Sequence, residues 1–240
     1  MLYSIGDLKS YVLKRWNDGC KVFAFTGHIG AGKNYVSFEV GKRLQEYGFN
    51  VAFTSFASNL KKLILDTFGY LKDGSIVCKV DESIGRNRFI NFMVEKCLGG
   101  NVEIEKLQQI KDKYNQLIHI INQHATNNQQ NKKVVRLLLQ EIGEYARSLN
   151  VDVWANSLCD YVESIYETTD FIFITDLRYL NEYHRLKDRF GGLAVIKITS
   201  PIDTILKRLH TSETEYKKLL KHPSEKSIDK LPVNITYINI

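Results

Sequence analysis

Lys21-Val-Phe-Ala-Phe-Thr-Gly27-His-Ile-Gly30-Ala31-Gly32-Lys33-Asn34 is the stretch on which the reading of this chain turns. A short apolar run, Lys21–Thr26, has the composition of a buried strand and is followed at once by three glycines in six residues. Beyond it, Val36, Val40, Leu44 and Tyr47 recur at helical spacing until Gly48. Gly27 to Lys33 fits G-x-x-x-x-G-K, with Asn34 where Ser or Thr is usual. Glycines let consecutive backbone N–H groups turn toward a phosphate, a helix N-terminus adds its positive end, and a lysine brings a mobile charge. Gly27, Gly30, Ala31, Gly32, Lys33, Asn34 and Tyr35 are therefore the expected nucleotide-binding residues.

Working outward, Val51–Thr54 reads as a second strand and 58–68 as a helix. Strand, glycine loop, helix, strand, helix opens a parallel α/β sheet. Between Leu71 and Lys133 the pattern predicts helices only, over about 86–98 and over 103–121. The second carries Ile104, Leu107, Ile110, Tyr114, Leu117 and Ile121 on one face, suited to a core surface or to a homodimer interface. Residues 122–131 hold seven Asn or Gln in ten and read as a mobile polar loop. The α/β rhythm then resumes: helices over 134–148 and 153–166, a strand at Phe171–Thr175, a helix over 179–189 and a strand at 193–198. A helix over 201–209, with Pro201 in its first turn, and a last strand at 233–238 complete it. The expected architecture is a single domain over 1–240, a parallel sheet flanked by helices. It has an N-terminal helix in 1–20, a helical insertion at 72–132 and a lid at about 207–230.

Composition agrees with this reading. The 240 residues carry 33 basic and 27 acidic side chains, a net charge of +6 that suits anionic partners. Cys20, Cys78, Cys97 and Cys159 form no C-x-x-C pair and read as reduced thiols. No apolar run approaches the roughly 18 residues of a membrane span, and the N-terminus lacks a signal-peptide block, so a cytoplasmic protein without a membrane partner is expected. The segment 207–230 has seven basic and four acidic residues, as a lid closing over ATP requires, with Lys207 and Arg208 at its base.

Asp176, ending the strand FIFIT, stands where a metal-ordering carboxylate belongs in an open α/β sheet, or caps a helix before Leu177. Arg178 is placed to neutralise a transferring phosphoryl group or to pair with Glu182. Arg136 and Gln140, four apart, share a helix face, where a guanidinium forks onto phosphate and an amide pairs with a base edge. Trp154 reads as core, and His28 as an exposed loop residue.

Taken together, TGHIGAGKN, FASNLKKL, VVRLLLQEIGEYAR with DVWA, TDLRYLNE and HPSEKS resemble the viral, bacteriophage-type deoxynucleoside monophosphate kinases of the P-loop superfamily. These blocks run in order from about residue 21 to 240, and phosphomevalonate kinases look similar in several of them. The resemblance implies transfer of the ATP γ-phosphate to a deoxynucleoside monophosphate, with Mg²⁺ ordered by Asp176 and Asn34. It gives ATP to the glycine loop and Arg208, and the acceptor to Lys61, Arg136, Gln140 and Arg178; Lys33, Asp176 and Arg178 become the catalytic set. In that family the position after the lysine is often acidic, and Asn34 is a neutral counterpart. A viral origin would place the chain in host cytoplasm. A kinase of phosphomevalonate or dephospho-coenzyme A is the alternative. An ATP-dependent nucleic-acid-binding module is the third reading, though the basic residues form no stripe and no stable nucleic-acid complex is expected.

Overall fold

The computed structural model describes residues 1–70, 73, 75, 80–124 and 128–240, and the side chains of all of these but 128–130. The chain forms two compact units, one made of Met1–Phe56 with Leu158–Ile240 and the other of Ala57–Ser157.

The first unit holds a five-stranded, wholly parallel sheet in the order β2-β3-β1-β4-β5. Its strands are β1 (Val22–Thr26), β2 (Val51–Thr54), β3 (Phe171–Ile174), β4 (Leu193–Thr199) and β5 (Ile235–Ile238). Every residue of β1 and β3 is buried, as the continuous apolar runs predict for strands covered on both faces. Alternation puts Phe23, Phe25, Phe171 and Phe173 on one face, where the rings meet edge to face 5.2–6.4 Å apart or tilted. Helices α1 (Ile5–Asn17) and α2 (Lys33–Glu46) cover that face with Leu8, Val12, Val36, Val40 and Leu44. Ser4 starts α1 by accepting the Asp7 N–H at 3.0 Å.

The order of strands matters for function. From β1 the chain moves out to β2 at one edge, whereas from β3 it crosses β1 to reach β4. The two connections leave neighbouring strands in opposite directions, opening a crevice at the carboxyl ends of β1 and β3.

The second unit is helical: α3 (Phe56–Phe68, all but its first residue), α4 (Glu82–Phe92), α5 (Ile104–His124), α6 (Asn128–Leu149) and the start of α7 (Val153–Ile165). It is wider than the expected 72–132 segment. Asp81 caps α4 through the Ser83 and Ile84 N–H groups, and the helix widens into one π turn over Met93–Cys97 before ending at Leu98. Ile110, Tyr114 and Leu117 of α5 are buried among Phe68, Phe89, Leu138 and Ile142, so the centre of its apolar face is core. Ile104 at its start is 88% exposed. Trp154 is buried, stacks on Phe92 and donates its indole N–H to the Gly143 carbonyl at 3.3 Å.

Three expectations about where elements begin and end fail. The polar run 122–131 is helical where described, with α5 continuing to His124 and α6 starting at Asn128; residues 125–127 lie outside the described residues. Glutamine is a good helix former, and α6 extends its amphipathic face back to the buried Asn131. Pro201 is the N-cap of α9 (Ile202–Leu209), with ψ 143°. Asp176 caps no helix at Leu177, because α8 (Leu180–Phe190) begins three residues later. Cys20, Cys97 and Cys159 are buried free thiols, with burial pushing Cys97 up to about 12 and Cys159 to about 11; Cys78 lies outside the described residues. Among the described residues no helix is long and apolar enough to cross a membrane.

Candidate functional site

The loop between β1 and α2 is shaped by close approach. Gly27 has φ 142°, and a Cβ there would lie 2.2 Å from the Ile198 carbonyl oxygen of β4, so only glycine lets the loop press against that strand. Gly32 caps α2 in the left-handed conformation, φ 89°. Lys33 opens the helix and folds its side chain back over the loop, donating to the Gly27 carbonyl at 2.6 Å and the His28 carbonyl at 3.2 Å. Burial and then the Arg178 guanidinium lower the ammonium pKa to about 8, while Glu225 and Asp176 oppose the shift. Asn34 and Tyr35, the next two residues of α2, are exposed.

Asp176 follows β3 and comes within electrostatic reach of Lys33. Its Oδ1 accepts the Phe56 N–H at 2.7 Å, at the first residue of α3. Of the two partners expected for Arg178, the Glu182 carboxylate instead accepts the backbone N–H groups of Arg178 and Tyr179, at 2.9 and 3.0 Å, where α8 begins. The guanidinium turns to Glu225, with Nη1 2.5 Å from Oε1, and to Ser224 Oγ at 3.2 Å.

Glu225, part of the HPSEKS block that resembles the family but was given no chemical role from sequence, takes one here. It lies beyond α10 (Glu213–Leu219), on the single-turn helix α11 (Pro223–Lys226), 4% exposed. Its second oxygen, Oε2, accepts the Ile29 N–H of the glycine loop at 3.0 Å and lies 3.2 Å from His28 Nδ1. Burial pushes its pKa up, but the bonds from His28 and the Ile29 N–H, together with Arg178, outweigh it and hold the group down to about 2. His28 is half-buried between Glu225 and Asp229, which corrects its expected exposure. The visible signal was the H-x-S-E spacing: His222 caps α11 by accepting the Ser224 N–H, and Ser224 and Glu225 both meet Arg178.

Arg208, in the last turn of α9, reaches the far side of the same loop. Its Nη1 lies 2.9 Å from Ser200 Oγ and 3.5 Å from the Gly30 and Ala31 carbonyl oxygens. Buried Asn239 donates through Nδ2 to the Ala31 carbonyl at 3.0 Å. No sequence signal marked it.

The structure therefore brings Gly27–Lys33, Asp176, Arg178 and Arg208 together within the sheet unit. Lys61, Arg136 and Gln140 belong to the helical unit, with Arg136 and Gln140 exposed on α6 and Lys61 half-buried on α3. Among the described residues, no three His, Cys, Asp or Glu side chains group closely enough to hold a metal ion. A magnesium ion that arrives with a nucleotide takes most of its ligands from phosphate and water and needs one or two carboxylates. Asp176, with Oδ1 engaged by an amide, suits that mode. No protein-family model matches the chain, and no curated protein matches it in sequence.

Proposed function

We propose that this chain transfers the γ-phosphoryl group of ATP to a deoxynucleoside monophosphate, giving the diphosphate and ADP. The observation that carries the reading is the set Lys33, Asp176 and Arg178 at the carboxyl ends of the adjacent parallel strands β1 and β3, beside a glycine loop that opens a helix. Such an arrangement binds a phosphate chain and gathers positive charge where negative charge builds up during transfer.

In this reading the fold is that of a P-loop kinase. Loop amides and Lys33 would bind the β- and γ-phosphates, and Asp176 and Asn34 would be the residues to hold a nucleotide-borne metal ion. Arg178 is held by Glu225 through Nη1 and offers its other N–H groups to the transferred phosphoryl. Mg²⁺ supplies charge neutralisation across the phosphates. No general base is needed, because the acceptor oxygen is already ionised at neutral pH. The acceptor falls to Lys61, Arg136 and Gln140 by resemblance, and the segment 207–230 to lid movement.

ADP release measured across a panel of nucleoside monophosphates tests the reading. Turnover is expected with deoxynucleoside monophosphates, and Lys33→Ala should lower it by about 10²-fold or more with the fold intact. Unchanged activity in that variant overturns the site. Turnover with phosphomevalonate or dephospho-coenzyme A, and none with nucleotides, overturns the acceptor class.

A further inference from the structure

We infer that Asn239, the residue immediately after the last strand, is a positioning residue that sets the direction of the phosphate-binding amides. The inference rests on the loop binding phosphate, as proposed above.

A trans peptide points its C=O and N–H in opposite directions. Fixing the Ala31 carbonyl therefore fixes the Gly32 N–H on the other side. Asn239 does this at 3.0 Å from a buried position, and Arg208 approaches the same carbonyl at 3.5 Å. With the carbonyl turned toward the β4–β5 side, the Gly32 N–H joins the open N–H groups of the first turn of α2, which have no partner inside their own helix. Without that hold, the 31–32 peptide is free to rotate and to present a carbonyl, a partial negative charge, to the anion.

Asn239 is itself held firmly. Its backbone N–H donates to the Thr199 carbonyl at 2.7 Å, and its own carbonyl accepts the Ser200 hydroxyl. The fit to Gly32 is equally close, since a Cβ on that glycine would lie 2.2 Å from Asn239 Nδ2. The glycine and the asparagine are two halves of one contact: the missing side chain admits the amide that orients the loop.

Equilibrium binding of ATP and of inorganic tripolyphosphate to the full chain, with Asn239→Ala and Asn239→Asp, tests this. Asn239→Ala is expected to weaken both ligands about tenfold. Asn239→Asp keeps the shape but cannot donate, and sets an acceptor against the carbonyl, so its loss should equal or exceed that of the alanine variant. In turnover, KM for ATP rises while KM for the monophosphate stays constant. If Asp binds as the unaltered chain does and only Ala is weakened, Asn239 is a packing residue and the inference fails. Should Asn239→Asp not fold, an unchanged tripolyphosphate affinity in Asn239→Ala overturns it alone. If the unaltered chain binds neither ATP nor tripolyphosphate, the functional reading fails, and the inference with it.

Discussion

Glu225 joins three things that are far apart in sequence: the Ile29 amide, His28 and the Arg178 guanidinium. Burying a carboxylate is costly, and here every oxygen is answered by a donor, which keeps it ionised. Its folded pKa of about 2 lies below the ordinary 4.5, so the stabilisation is fully present above pH 4.5 and disappears as pH falls toward 2. The shift corresponds to about 3 kcal/mol. Melting curves of the unaltered chain and Glu225→Gln are thus expected to differ by about that amount at pH 7 and to converge near pH 2. Equal stability at pH 7 would remove Glu225 as the anchor of Arg178. Residue types with strong chemistry, Lys33, Asp176 and Arg178, were legible from sequence because each sits at a fixed offset from a strand end. Asn239 was not, since its role depends on which carbonyl it faces.

Helices were legible where apolar spacing was regular, and less so where composition stood in for conformation. On α5 the steps from Ile110 to Leu117 identified the buried face, yet the same pattern placed Ile104 on it, and that residue, the first of the helix, is exposed. Paired substitutions check this register by denaturant unfolding. Leu117→Ala should cost about 2–5 kcal/mol, whereas Ile104→Ala should stay within about 0.5 kcal/mol. At 122–131 the density of Asn and Gln suggested a loop, but side-chain polarity says only that one face is wet. The buried positions Asn131, Val134 and Val135 carry the helical signal into that run.

For the whole molecule, element types could be read from the sequence but the strand order could not. Five similar apolar runs do not say which lies beside which, and it is the order β2-β3-β1-β4-β5 that puts Asp176 next to the glycine loop. Net charge has a similar limit. Ion pairs touching the 207–230 segment include Lys217 with Glu213 and Asp229 with Lys197, so part of its charge is answered within the chain. ATP turnover is accordingly expected to be indifferent to added single- or double-stranded DNA, measured at low salt; stimulation would revive the nucleic-acid reading.

The position of β3 also bears on how the chain is made. It lies between β1 and β2, and register partners Val51 and Phe171 are 120 residues apart. Neither of the first two strands to leave a ribosome finds a neighbour until the third emerges, on the order of ten seconds later at ordinary rates of synthesis. During that interval the phenylalanine-rich run of β1 is an unpaired edge, open to the wrong partners or to a chaperone.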